Sequence, residues 1–297
     1  MLVPEWYSKR CMELVPDAEE YLRSLEKPLP QSIRATARIS PEALKGRMEA
    51  KGFILEAVPH LERAFIVRKA PFSLGSTPEY LLGYYYIQSI APQMPVGAMP
   101  RGKIGIDLCA APGGKSVQLS EKVDVLISID IDSTRIKSLR SNLARCGVEN
   151  AILLRMDGNK ISELGITADR ILVDAPCSGE GVIRSHPERL STLQEGDFAK
   201  YGERQKELLK SAAAVLEKGG TLVYSVCSLS PEECEMIAEY AITELGLKIV
   251  GTETSFGEKG MTEAFGKKLN TEVEKAVRVW PHKSDTEGFF IAKFNKV

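Results

Sequence analysis

Asp107-Leu108-Cys109-Ala110-Ala111-Pro112-Gly113-Gly114-Lys115-Ser116 is the stretch on which the fold turns. The apolar run 104–108 enters a proline-glycine-glycine turn, and sequence of helical type follows. A strand that turns sharply into a helix presents backbone N–H groups in a crevice where a nucleotide-like ligand can sit. Two familiar turns are excluded. A P-loop needs a glycine five residues before Gly114, and Cys109 stands there. The dinucleotide pattern G-x-G-x-x-G is missing too, which argues against nicotinamide or flavin chemistry.

Downstream, strands and helices alternate. Strands are expected at 125–129, 151–154, 170–173 and 221–226, with last strands at 247–250 and 289–294. Helices are expected at 114–121, from a Ser133 cap to Gly147, at 201–217, and from the capping box Ser230-Pro231-Glu232-Glu233. The alternation predicts an α/β, doubly wound, mostly parallel sheet, with its ligand site at the carboxyl ends of the strands.

Upstream the pattern differs. A helix is expected over 12–25, a strand over 32–39, a helix from Ser40-Pro41-Glu42 through Met48, and short strands at 53–58 and 64–67. Tyr84-Tyr85-Tyr86 cannot share one helix face, so at least one ring is expected to be exposed, with packing between domains favoured over stacking on a base. Proline and glycine crowd residues 91–100, which sets a boundary: a small α+β domain at 1–95, an RNA-contacting module or a lid, and the ligand-binding domain at 96–297.

A chain of 297 residues is long enough for this pair. Its net charge of −1 supplies no whole-chain attraction for nucleic acid, so any RNA surface requires segregated basic residues. No signal peptide or membrane-length apolar run is visible. The six cysteines form no C-x-x-C pair, and the three histidines have no ligand-like spacing. Reduced thiols, a cytoplasmic location, a monomer and no metal are therefore expected.

Asp107, Asp130, Asp157 and Asp174 fall at or near four successive strand ends. Asp130, about 20 positions past the turn, suits ribose hydroxyls. Cys177 and Cys227 follow the fourth and fifth strands, so both thiols face one crevice if those strands are neighbours. A helix starting at Ser230 would favour the thiolate of Cys227 through its positive end.

Three segments, Asp107 to Lys115, Asp174-Ala-Pro-Cys-Ser-Gly-Glu-Gly181 and Tyr224-Ser-Val-Cys-Ser-Leu-Ser-Pro-Glu-Glu233, closely resemble motifs of the Sun-type (NSUN) RNA cytosine-5 methyltransferases. Gln205, Gly219-Gly220 and Gly288-Phe289-Phe290 are similar to that family as well, and the short two-part build is most like its compact archaeal tRNA members. The resemblance implies a Rossmann-like class I methyltransferase with a seven-stranded sheet and S-adenosylmethionine as cofactor. It implies cofactor contacts at Cys109, Ala110, Ala111, Pro112, Gly113, Gly114 and Lys115, with Asp130 at the ribose, Asp157 at the adenine, Asp174 near the methyl donor, and Arg135 beside them. It also implies that Cys227 is the nucleophile, that Cys177 assists release of the product, and that Asp174 and Lys115 order the cytosine.

RNA is then the partner, tRNA before ribosomal RNA. The alternative is an inactive RNA-binding assembly factor. Departures from the family pattern are Val226 where threonine is usual, Arg34-Ala35-Thr36 for Arg-x-Asn, and Gln88-Ser89 for a Gln-acidic pair.

Overall fold

The computed structural model describes residues 3–254 and 256–297. The helix expected over 12–25 is instead two, Glu5–Leu14 and Ala18–Ser24. Pro16 disfavours helical backbone at the residue before it, and Val15 is extended, at φ −101° and ψ 123°. Tyr7, Cys11 and Tyr21 from these helices pack on Ile183, Leu190, Phe198 and Trp280, so their core lies with the distant part of the chain.

A four-stranded antiparallel sheet comes next, made of β1 (Ser32–Ala35), β2 (Ile54–Ala57), β3 (Ala64–Lys69) and β4 (Tyr85–Ile87) in the order β2-β3-β1-β4. Helix Pro41–Glu49 covers it and is capped by Ser40. β1 stops at Ala35, short of the expected Ile39, because the Thr36 amide and hydroxyl are taken by the carbonyls of Tyr84 and Gly83. The tyrosine run enters a strand and not a helix. Tyr85 is buried, with its hydroxyl 2.7 Å from Thr77 Oγ1, while Tyr84 and Tyr86 are half-buried and none of the three is exposed.

The larger sheet holds nine strands, two more than expected. Its parallel part is β5 (Gly102–Asp107), β6 (Val123–Asp130), β7 (Ala151–Arg155), β8 (Ala168–Asp174) and β9 (Leu216–Val226), running β9-β8-β5-β6-β7 across the sheet. These strands read as apolar runs because helices cover a parallel sheet on both faces. β10 (Lys248–Val250), β11 (Glu258–Lys259), β14 (Val277–Val279) and β15 (Phe289–Asn295) add an antiparallel flank, and β12 (Glu263–Ala264) with β13 (Lys267–Lys268) forms a separate hairpin. The long helix runs Asp197–Val215, so β9 begins at Leu216 where helix was expected.

The chain leaves β5 towards β6 and β7 on one side, then returns to build β8 and β9 on the other. The crevice between β5 and β8 is therefore the topological switch point, where open α/β sheets bind ligands. The small sheet packs against the helices that follow β5 and β6. Arg34 on β1 is buried and makes two hydrogen bonds, 3.0 and 2.6 Å, to Glu121 at the end of helix Gly114–Ser120. Arg145, in the helix after β6, lies 4.0 Å from the Tyr80 ring centre and bonds the Tyr80 and Tyr85 carbonyls.

Candidate active site

Strand order sorts the site residues. The turn after β5 sits at the centre of the edge. Asp130 ends β6 and Asp157 lies just past β7 on one side, while Asp174 ends β8 and Cys227 follows β9 on the other. A ligand lying across β7, β6 and β5 would point one end towards the cysteines.

On the β6 side, Asp130 is buried and accepts hydrogen bonds from Ala111 N at 3.1 Å and Asp132 N at 2.9 Å. The Arg135 guanidinium bonds the Ala111 carbonyl and lies 3.7 Å from Asp130. Asn142 Nδ2 donates to the Pro112 carbonyl at 2.9 Å, so the helix Arg135–Arg145 holds both carbonyls of the turn. That helix is started by Asp132 and not by the expected Ser133: its carboxylate accepts from the amides of Thr134 and Arg135, and those bonds lower its pKa. Gly114 has a structural reason to lack a side chain, since a Cβ there would lie 3.0 Å from the Tyr86 ring. Asp157 accepts from Asn159 N at 3.0 Å. Ile131, beside Asp130, is exposed, and nothing in its local pattern singled it out.

Asp107 points inward. Its Oδ2 accepts from Ser116 Oγ at 2.7 Å, tying the end of β5 to the following helix. Burial first, and then the Asp174 charge, push its carboxyl up to about 7. The folded pKa thus lies above the unfolded one, so this group's contribution to stability is full below about pH 4 and is lost as pH rises towards about 7. Asp107→Asn stays neutral, and its urea midpoint is expected to fall less than wild type over that window. Parallel curves for the two proteins would refute the protonated state.

On the other side, Lys115 Nζ donates to Asp174 Oδ2 at 2.8 Å, and Ser225 Oγ donates to Oδ1 at 2.7 Å. Burial pulls the Lys115 pKa down, but Asp174, helped by Cys227 and Asp107, outweighs it and the net direction is up, so the amine is an ammonium. Cys177 and Cys227 sulfurs are 3.0 Å apart. Contact with Cys227, and then burial, push the Cys177 thiol well up. Cys109 is likewise pushed well up by burial.

The two cysteine loops are laced together. Gly181 N donates to the Cys227 carbonyl at 2.9 Å, Gly288 N donates to the Gly181 carbonyl at 2.8 Å, and Glu180 Oε2 accepts from Leu229 N and Ser230 Oγ, each at 3.1 Å. A Cβ at Gly181 would lie 2.1 Å from the Gly288 oxygen. Gly181→Ala is therefore expected to cost about 1–3 kcal/mol of stability. It should also displace Cys227, which a lowered Tm together with slowed alkylation of Cys227 would register.

The expected capping box does not form. Helix Glu235–Thr243 begins past it, eight residues after Cys227, because Ser230 and Glu233 spend their side chains on the loops. No helix starts at Ser230 to favour a Cys227 thiolate. Arg34 and Thr36, at the departure from Arg-x-Asn, hold structure through Glu121 and Gly83.

A glycine turn at the switch point of this sheet, flanked by acids at neighbouring strand ends, defines a Rossmann-like class I methyltransferase. The chain belongs to the family described as 16S rRNA methyltransferase RsmB/F, which matches residues 99–295; the description "N-terminal domain of 16S rRNA methyltransferase RsmF" matches residues 3–90.

It is 35% identical over 300 residues to the 28S rRNA (cytosine-C(5))-methyltransferase of Mus musculus, covering 97% of this chain and 38% of the relative. It is 33% identical over 315 residues to the ribosomal RNA small subunit methyltransferase F of Aliivibrio salmonicida (strain LFI1238), covering 100% of this chain and 64% of the relative. The chain thus spans less than two thirds of the length of these curated relatives.

Among solved structures, a methyltransferase homolog from Pyrococcus horikoshii superposes with a TM-score of 0.90 at 36% identity, covering 99% of this chain and 95% of that one. NSun6 from Pyrococcus horikoshii with SFG gives 0.87 at 25% identity, covering 99% and 98%.

Proposed function

We propose that the protein transfers a methyl group to carbon 5 of a cytosine in RNA, and that the RNA is ribosomal. The observation that carries the chemistry is the thiol pair beside the Lys115–Asp174 ion pair at the switch point. For the substrate, the sequence alone favoured tRNA; the curated relatives are named for ribosomal RNA, which moves the reading there.

The residues present fit S-adenosylmethionine. Cys109 through Lys115 would cradle it, Asp130 would take the ribose with Arg135 bracing the turn, Asp157 would meet the adenine, and Asp174 would face the methyl end. When bound, it supplies the methyl group to carbon 5.

The chain must make that carbon reactive. Carbon 5 of cytosine is a poor nucleophile, and addition of a thiolate at carbon 6 turns it into an enamine carbon. Cys227 forms that sulfur–carbon bond. Asp174 hydrogen-bonds the base edge near nitrogen 3, and the Lys115 ammonium balances the charge that moves onto the ring. Release needs the proton on carbon 5 to leave as the sulfur–carbon bond breaks and its electrons return to Cys227. The largest upward push on Cys177 comes from Cys227. Once the Cys227 sulfur is bonded to carbon that push is gone, so Cys177 can pass its own proton to water and, as the thiolate, accept the one from carbon 5. A paired base cannot reach such a pocket, so the target cytosine is unstacked.

Bisulfite sequencing of total RNA from cells with and without the protein tests this. One 5-methylcytosine should vanish from ribosomal RNA in cells that lack it. Loss confined to tRNA would move the substrate, and no loss anywhere would overturn the activity.

A further inference from the structure

Among the described residues, Glu233 carries more side-chain hydrogen bonds to the two cysteine loops than any other. Its Oε1 accepts from Ser178 Oγ at 2.5 Å and Ser228 Oγ at 2.6 Å, and its Oε2 accepts from Ser178 N at 2.9 Å and Gln205 Nε2 at 3.0 Å. Ser178 follows Cys177 and Ser228 follows Cys227. Gln205 donates the same amide nitrogen to the Pro176 carbonyl at 3.0 Å, and Tyr224 OH donates to the Glu233 carbonyl at 2.6 Å. One carboxylate therefore holds the residue after each thiol. Its oxygens serve the loops and not the amides of the helix at Glu235, so helix capping does not explain it.

We propose that Glu233 is a positioning residue that sets the separation of the two sulfurs, acting through Ser178 on one loop and Ser228 on the other. A fully buried carboxyl is costly to keep, and burial pushes this one up to about 7 against the pull of its serine and glutamine donors. Its place in the chain matters less than its span: the bonded partners lie 55, 28 and 5 residues away. Such a carboxylate adds to the Gly181 and Glu180 bonds between the loops a tie at the residue next to each sulfur, and misplacing a reacting group by about 1 Å costs on the order of 100-fold in rate.

The catalytic meaning of this rests on the proposed function, but the geometry is testable without it. The purified full chain is treated with diamide, a thiol oxidant: two thiols lose two electrons and two protons to form the Cys177–Cys227 disulfide, and diamide is reduced to the hydrazine. The rate is followed by mass spectrometry.

Glu233→Gln keeps the shape but weakens the acceptor, and is expected to slow this disulfide by about 10- to 100-fold. Glu233→Asp should recover part of the rate. In methyl transfer the same variant should lower kcat with KM for RNA little changed. Should Glu233→Gln fail to fold, Ser178→Ala and Ser228→Ala each remove one bond and each should slow the disulfide. Wild-type disulfide rates in the folded variants would overturn the proposal. A wild-type protein that forms the disulfide readily yet methylates no RNA would overturn the function and leave the positioning role standing.

Discussion

Cys227→Ala is expected to lower methyl transfer by at least about 10⁴-fold and to abolish covalent capture of RNA carrying 5-fluorocytidine. The size follows from the absence of a second route, since without addition at carbon 6 the ring carbon remains a poor nucleophile. Fluorine at carbon 5 cannot leave as a proton does, so capture reports the adduct directly. Cys177→Ala should behave in the opposite way. The Cys227 sulfur is untouched, so the adduct forms, but the group 3.0 Å away that would accept the carbon 5 proton is missing and protein–RNA adduct accumulates. An acrylamide gel of protein mixed with RNA and S-adenosylmethionine separates the outcomes. Full turnover by Cys227→Ala, or equal adduct yields from both variants, would remove the assigned roles.

The strand ends were the legible part of this chain. The apolar runs of β5, β6, β8 and β9 stop at Asp107, Asp130, Asp174 and Cys227, and burial on both faces is what writes such a run into sequence. Which strands are neighbours was not legible in that pattern, because β8 crosses to the far side of β5 without any local sign. In the antiparallel flank β10 and β15 were expected, at 247–250 and 289–294, but β11 was not: it is two exposed charged residues, and two residues carry no period.

Glu233 shows how a local rule misleads. Ser230-Pro231-Glu232-Glu233 satisfies the capping pattern, yet Ser178 and Gln205, far away in sequence, offer buried donors that would otherwise go unpaired. Leaving buried donors unsatisfied costs about 1–3 kcal/mol each, more than a cap typically returns. The first helix pair failed similarly at Pro16, where the periodic apolar pattern outweighed the one residue that breaks it.

Asp174→Asn should cost both stability and activity, and the two losses have a common cause. Lys115 is held as an ammonium against burial by Asp174, and its side chain is only 13% exposed. Removing one partner of a buried pair leaves an uncompensated charge, a loss of about 3–5 kcal/mol when burial is complete and less here, where Asp174 is 28% exposed. In wild type the Lys115 pKa lies above its unfolded value, so with Asp174 ionised the stabilisation tied to the Lys115 proton is full up to about pH 10 and is lost above it. In the variant burial acts with less opposition and the folded pKa drops below the unfolded one. The folded state then binds fewer protons, and stability must rise with pH up to about 10. Urea midpoints between about pH 8 and pH 10 should therefore climb in Asp174→Asn relative to wild type. Methyl transfer should fall by about 10²–10⁴-fold at neutral pH, because the charged edge that meets the ring has gone. Parallel stability curves would mean that the ion pair does not control Lys115, and undiminished transfer would mean that Asp174 does not touch the base.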